Sequence, residues 1–236
     1  MGKWGAITTG IVEKVRDDMA GSRQRTYNQY NLDIMHDTLH VPNFLEMPIL
    51  EPTDYVPEAL IGFNECKSKG SASDKCVHFF LDDYQFERVW RVPSSYVNML
   101  SKFGGMLTPD FSLYMDMTQP MKIWNTYRNK LIGAYMQAQG LNVIPTVSWA
   151  EEETFAYCFD GLPPESVVAI STVGVRANKM TTHYWAQGVD ELIKRLHPSM
   201  ILVYGGRVDY DFGDTKVKYF ENERIKRFDE MKRRND

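Results

Sequence analysis

The sequence predicts an α/β protein of alternating βα units whose parallel strands form a (β/α) barrel-like or partial-barrel domain; the alternative closure is an open doubly wound sheet. Three observations predict it. Short apolar runs of strand length recur along the chain, stretches with helical apolar spacing lie between them, and those stretches end in Gly or in His197-Pro198, where helices commonly stop. Strands that alternate with helices every ~25 to 35 residues need right-handed crossovers, which lay helices over the faces of a parallel sheet.

Residues 1–57 read as an N-terminal extension, helical in "GIVEKVRDDMA" and then polar and irregular in "GSRQRTYNQYNLD". From Val41, "VPNFLEMPILEPTDYVPEAL" cannot be a long helix, because each Pro removes a donor and restricts its predecessor; it is expected to wrap over a surface. The α/β domain is assigned to residues 58–221. Its strands are expected at "ALIGFNE" (59–65), "CVHFFLD" (76–82), "FSLYMDM" (111–117), "LNVIPTVSW" (141–149), "SVVAISTVG" (166–174) and "MILVYGG" (200–206), with "TKVKYFE" (215–221) as a further one. "CKSKGSASDK" has the composition of an exposed, mobile loop, and Gly104, Gly105 and Met106 are expected to break a helix before the next strand.

Helices are expected at "SSYVNMLSKFGG", "PMKIWNTYRNKLIGAYMQAQG", "EEETFAYCFDG" and "THYWAQGVDELIKRLHP". Residues 222–236 read as a charged helix whose Ile225, Phe228 and Met231 form a docking stripe.

Composition narrows the function. A net charge of −4 argues against a protein that coats duplex DNA by electrostatics, which rests on many Lys and Arg side chains. Cys66, Cys76 and Cys158 form no CxxC pair and no zinc-type spacing with histidine, so a reduced, cytoplasmic setting is expected. No apolar run reaches the roughly 18 residues of a membrane span, and the amino terminus lacks a signal-peptide pattern. Ala6 stands where a myristoylation signal has Ser or Thr. No GxGxxG follows a strand and no GxxxxGK[ST] occurs, which removes the dinucleotide and P-loop readings.

In either closure ligands bind at the carboxyl ends of parallel strands. The residues there include Asp82 and Asp83, Asp116, Trp149 and Glu151, and Tyr204. Alternation in "HFFLDDYQF" puts His78, Phe80 and Asp82 on one face and Phe79, Leu81 and Asp83 on the other, so one Asp is expected to point into the top of the sheet. Carboxylates converging at one rim can share a divalent cation or divide acid and base roles. Asn125 and Arg128, three apart on a helix, could grip an anion, and Trp149 or Tyr204 could stack on a base or sugar. The structural alternatives are a helix cap at Asp83, a turn at Asp116, an internal ion pair for Arg128, core lids at Trp149 and Tyr204, and a core histidine at His78.

The ordered series "HFFLDDYQFERVW", "TPDFSLYMDM", "NTYRNKLIGAYMQAQGLNVIPTVSW", "YCFDGLP" and "ILVYGG" resembles a family of proteins of unknown function found in phages and other bacterial mobile elements. The resemblance spans roughly His78 to Gly206. It implies a mobile-element setting, and its motifs point to Asp82, Asp83, Asp110, Ser112, Asn125, Arg128, Trp149 and Tyr204. A looser, fold-level similarity links the order of elements to barrel enzymes that exchange bases in tRNA and DNA. Such enzymes use strand-end carboxylates, but their "DSGG" signature is replaced here by "DDYQ", and no cysteine-rich zinc site is present.

The expectation is therefore an enzyme acting on nucleic acid, a nucleotide or a sugar-phosphate. Asp82, Asp116 and Glu151 would be catalytic, with a divalent metal as a conceivable cofactor. Asp83, Asp110, Asn125, Arg128, Trp149 and Tyr204 would bind substrate. The competing expectation is a non-catalytic protein that binds a host factor, a nucleotide signal or DNA.

Overall fold

The computed structural model describes residues 24–221. The chain divides into two compact units, Met1–Asp37 and Thr38–Asp236. The expected helices at "GIVEKVRDDMA" and at 222–236 lie outside the described residues.

In the first unit, the polar stretch expected to be irregular is helical, with α1 (Gln24–Gln29) and α2 (Leu32–Asp37). The break between them is at Asn31, whose φ of 53° is left-handed, a conformation that Asn adopts more readily than most residues.

The second unit begins with the proline-punctuated strap, which does wrap over a surface. Leu50 N–H donates to Gly161 O, and Thr53 exchanges backbone and hydroxyl bonds with Ser166 and Val167 at the start of a strand. Met47 and Leu50 are buried under it. Then follow β1 (Ala59–Gly62), α3 (Cys66–Lys69), β2 (Ala72–His78), α4 (Glu87–Arg91), α5 (Ser94–Leu100), β3 (Phe103–Leu107), α6 (Gln119–Ala138) and β4 (Val143–Ile144). The chain continues through β5 (Val167–Ser171), α7 (Lys179–Leu196), β6 (Met200–Tyr204) and β7 (Val217–Phe220).

The strands form parallel sheets of four, in the order β1-β2-β3-β4, and three, in the order β5-β6-β7. A parallel bridge between Thr146 and Ala169 joins the two. Ala169 N–H donates to Pro145 O, and Val147 N–H to Ala169 O. Period-two alternation sorts the side chains. Val168, Ile170, Ile201 and Val203 pack against Trp185, Val189, Leu192 and Leu196 of α7. Their neighbours Val167, Ala169, Leu202 and Tyr204 join Leu60, Cys76, Leu107, Ile144 and Phe220 in a cluster to which every strand contributes. Helix α7 starts at a capping box between Asn178 and Thr181 and stops at His197, φ 44°, before Pro198. Among the described residues no helix is long and apolar enough to cross a membrane.

Three local expectations are corrected. "CKSKGSASDK" is not a loose loop: it forms α3, with Cys66 buried, and then the first half of β2. "EEETFAYCFDG" forms only a 3-10 turn, Glu152–Ala156. The largest difference is at "FSLYMDM", which is a loop, the strand being "FGGML". Gly104 and Gly105 do not end a helix there. They let β3 approach its neighbours: a Cβ on Gly105 would lie 2.8 Å from Asn142 O, and one on Gly104 would overlap the Ser73 carbonyl and the Tyr55 hydroxyl. Because Ser73 O is backbone and cannot swing aside, Gly104→Ala is expected to destabilise the domain by about 1–3 kcal/mol in urea unfolding. An unchanged midpoint would show that the strand spacing relaxes freely.

Candidate functional site

The carboxyl ends of the parallel strands open into a cleft of about 970 Å³. It is lined by Gly62 and Asn64 after β1, by His78, Phe80 and Asp82 at the end of β2, and by Asp110 and residues 112–116 in the loop after β3. Residues 147–150 after β4, Ser171 and Val173 at the end of β5, Thr181, Tyr184 and Trp185 of α7, and Tyr204 at the end of β6 complete the wall. The cleft has acidic and aromatic walls: Glu65, Asp82, Asp110 and Asp116 line it, and no Lys or Arg does among the described side chains.

Asp110 and Ser148 face each other because the segments after β3 and β4 stay side by side past their last ladder pair, one residue out of the ladder's register. Thr146 N–H donates to Thr108 Oγ1 at 2.8 Å and Thr146 Oγ1 to Thr108 O at 2.9 Å. Asn129 Nδ2 clasps Pro109 O and Thr146 O from behind. Two residues further along each strand, Ser148 Oγ donates to Asp110 Oδ1. Loss of solvation pushes the Asp110 carboxyl up to about 6, with the Ser148 bond opposing and the charge of Asp83 adding to the rise.

His78 is buried at 4 % exposure, with its ring 4.4 Å from that of Tyr204. Its Nδ1 accepts the Phe80 N–H at 3.3 Å, so the proton of the neutral ring sits on Nε2. Burial pushes it down to about 4. Trp149 donates Nε1–H to Tyr184 O at 3.0 Å, and its indole lies against Gly188 of α7, where any Cβ would collide with the ring.

Of the residues singled out from sequence, Asp82, Asp110, Asp116, Trp149 and Tyr204 come together on this cleft. Asp83 lies behind it. It accepts Ser112 N–H at 3.1 Å and Ser112 Oγ–H at 2.7 Å, and so anchors the loop after β3 rather than capping a helix. Asn125 Nδ2 donates to Ser112 O at 2.7 Å and accepts from Arg128 Nη2 at 2.7 Å. Arg128 Nη1 pairs with Glu87 at 2.9 Å, and its guanidinium lies 3.8 Å over the Phe111 ring. Glu151 pairs with the buried Lys122 at 2.6 Å, and Lys122 also donates to Met115 O at 3.1 Å. Burial raises the Glu151 carboxyl, but the bonds and charge of Lys122, helped by Gln119, hold it below the ordinary range. Asn125, Arg128 and Glu151 are thus loop supports outside the cleft lining.

Sequence reasoning missed Ser148, Asn64 and the α7 residues, and assigned His78 to the core. Ser148 was readable as the residue one alternation beyond Thr146. Nucleophilic thiol chemistry does not arise, since burial pushes Cys66 and Cys158 up to about 12 and Cys76 higher still. Among the described residues no group of three or more His, Cys, Asp or Glu side chains is arranged to hold a metal ion.

A family described as a domain of unknown function, DUF4417, matches residues 39–221. A "Gene 1 protein" of Mycobacterium phage L5 is 43 % identical over 162 residues, 68 % of this chain and 71 % of the relative. A "Gene 1 protein" of Mycobacterium phage D29 is 39 % identical over 194 residues, 79 % of this chain and 72 % of the relative. No solved structure matches the chain significantly.

The raised Asp110 carboxyl makes a signed prediction. The native state binds its proton more tightly than the unfolded chain does. Asp110 therefore destabilises the fold fully above about pH 6, and the penalty disappears as the pH falls below 3.8. Asp110→Asn keeps an oxygen for the Ser148 hydroxyl. It is expected to stabilise the protein by roughly 2–3 kcal/mol at pH 7.5, with the gain vanishing by pH 3.5. Denaturant titrations of both proteins across that range test it; a variant less stable at pH 7.5 contradicts the assignment.

Proposed function

The chain belongs to the DUF4417 family, and we propose that it is an enzyme acting on the base–sugar unit of a nucleic acid or nucleotide, cleaving or exchanging a glycosidic bond with Asp110 as the acid. The observation that carries this is the Asp110 carboxyl, hydrogen-bonded to Ser148 and pushed up to about 6 inside a cleft with aromatic walls. A carboxylic acid with that affinity for its proton is matched to protonating a leaving group near neutrality. Asp82 or Asp116, exposed on the same cleft, supplies the second carboxylate, as nucleophile or as the base that activates water. The scheme requires only proton transfer and carboxylate attack, and no step passes through a metal.

The base and sugar, rather than phosphate, are the parts that suit the cleft, since no described cation lines it. Tyr84 and Tyr114, 78 % and 61 % exposed beside it, supply stacking surface for neighbouring bases of a strand. The phage relatives fit a substrate met during infection. The reading includes closure of the seven strands as a partial barrel. Supporting it are the cluster fed by every strand and the Lys218 Nζ bond, at 2.6 Å, from β7 to Pro57 O just ahead of β1. In a second reading, the exposed tyrosines favour a non-catalytic role in which the rim captures a nucleic acid or a host protein.

Incubation with nucleosides and single-stranded oligonucleotides, with release of free base followed by chromatography, is the test. Activity is expected to survive EDTA and to fall as pH rises through about 6, where Asp110 loses its proton. It should drop by about 10²–10⁴-fold in Asp110→Asn. Turnover that is indifferent to Asp110→Asn removes Asp110 from the chemistry. Strand binding without turnover, unaffected by that variant, favours the capture reading.

A further inference from the structure

One corner of the cleft is built differently from the rest. Gly62 closes β1 in an ordinary extended conformation, φ −66° and ψ 139°, which any residue could adopt. Its missing side chain leaves a gap. A Cβ there would come within 2.6 Å of Asn64 Oδ1 and 3.7 Å of His78 Nε2. The Asn64 amide thus lies against the Gly62 backbone, with His78 Nε2 close by.

Neither group is used by the protein. His78 Nε2–H has no hydrogen-bond partner among the described residues, although the side chain is buried and lines the cleft. Its other nitrogen is occupied by the Phe80 amide, which fixes Nε2 as a donor. The Asn64 amide, exposed on the same cleft, offers both a donor and an acceptor and makes no bond within the described fold. Both groups line the cleft, so each holds hydrogen-bonding capacity that a ligand could take up in place of water. The Tyr204 and Phe80 rings stack at 4.9 Å and an interplanar angle of 17°, and Tyr204 also contacts the His78 imidazole, so the corner is bounded by flat aromatic surface.

We propose that Gly62, Asn64 and His78 form a recognition subsite for the hydrogen-bonding edge of a planar, uncharged heterocycle, a nucleobase, seated beside the Tyr204 and Phe80 rings. His78 donates to a carbonyl or ring nitrogen of that edge, and Asn64 makes the complementary bond or pair of bonds, as amides do on base edges. The absence of described cations from the lining favours an uncharged ligand over an anionic one. This assignment rests on the base–sugar reading of the cleft and adds which wall reads the base.

The test is equilibrium binding by calorimetry of the four ribonucleosides and of a riboside with an indole in place of the base, which stacks but presents no complementary edge. Wild type is expected to bind at least one nucleoside and to bind it better than the indole riboside. Asn64→Ala, His78→Phe and Gly62→Ala are each expected to weaken that nucleoside by about five- to fiftyfold and to leave the indole riboside unchanged. Gly62→Ala needs only the Asn64 amide to swing aside, and Asn64 is exposed, so these two variants keep their unfolding midpoints even if His78→Phe does not. Nucleoside binding that all three variants leave intact overturns the corner while sparing the catalytic reading. Base-selective binding lost in the variants, but with no turnover by wild type, upholds the corner and sinks the catalytic reading. No nucleoside binding at all overturns the proposed ligand class.

Discussion

The cleft depends on two buried cations of helix α6, Lys122 and Arg128, which hold the loop that follows β3 at two points, Met115 directly and Ser112 through Asn125. Arg128 uses its fork to join Glu87 to Asn125, Asn125 passes the connection to the Ser112 carbonyl, and Asp83 takes the Ser112 amide and hydroxyl. Six residues earlier on the same helix, Lys122 spans Glu151 and the Met115 carbonyl. A lysine could not replace Arg128, because one ammonium lacks the planar, two-ended geometry and the flat face that lies on Phe111. Buried pairs of this kind add little net stability compared with apolar packing. What they fix is geometry: eleven residues without regular structure, 108–118, are held as a wall that carries Asp110, Tyr114 and Asp116.

This division of labour explains the charge of the cleft. Lys122 and Arg128 lie outside the cleft lining and bond to protein acceptors, while Asp82, Asp110 and Asp116 line it. Asp83, committed to the loop, even adds its charge to the field that raises Asp110. The same wiring explains why a motif-based choice of residues mixed two populations. Asp83, Asn125 and Arg128, with Glu151 just beyond the motifs, bond to the loop and its supports, whereas Asp82, Asp110 and Asp116 line the cleft.

Much of the architecture was legible in the sequence. The β-α order, the strap, α6, α7 and the strands β1, β2, β4, β5, β6 and β7 follow from periodicity and punctuation, whereas β2 ends at His78 and the alternation expected through "HFFLDD" does not continue as strand. Strand β3 was not legible, since glycines are read as breakers and the tight approach to Ser73 and Asn142 that demands them is a tertiary fact. With β3 moved back by eight residues, Asp116 is no longer a strand-end residue, and Asp110, three residues past β3, is the one that meets Ser148. Nor could the sequence tell that Arg128 has an internal partner, since Glu87 is forty-one residues away. His78 is the subtler case. Its setting in an apolar strand does identify a buried histidine, but only the fold shows that Nε2 lies near Gly62 and Asn64 and that the residue lines the cleft.

The two groups with the most perturbed protons in the cleft penalise the fold at opposite ends of the pH scale. His78, pushed down to about 4 from 6.5, favours the unfolded chain increasingly as pH falls from 6.5 to 4 and not at all above that range. Asp110, pushed up to about 6 from 3.8, favours the unfolded chain fully above 6 and not at all below 3.8. Between these limits both penalties are partly present, so no pH relieves the pair together. An apolar residue at either position would remove its share. A fold shaped by stability alone gains nothing from either group, and the cost of burying them is what the roles proposed above for Asp110 and His78 would account for.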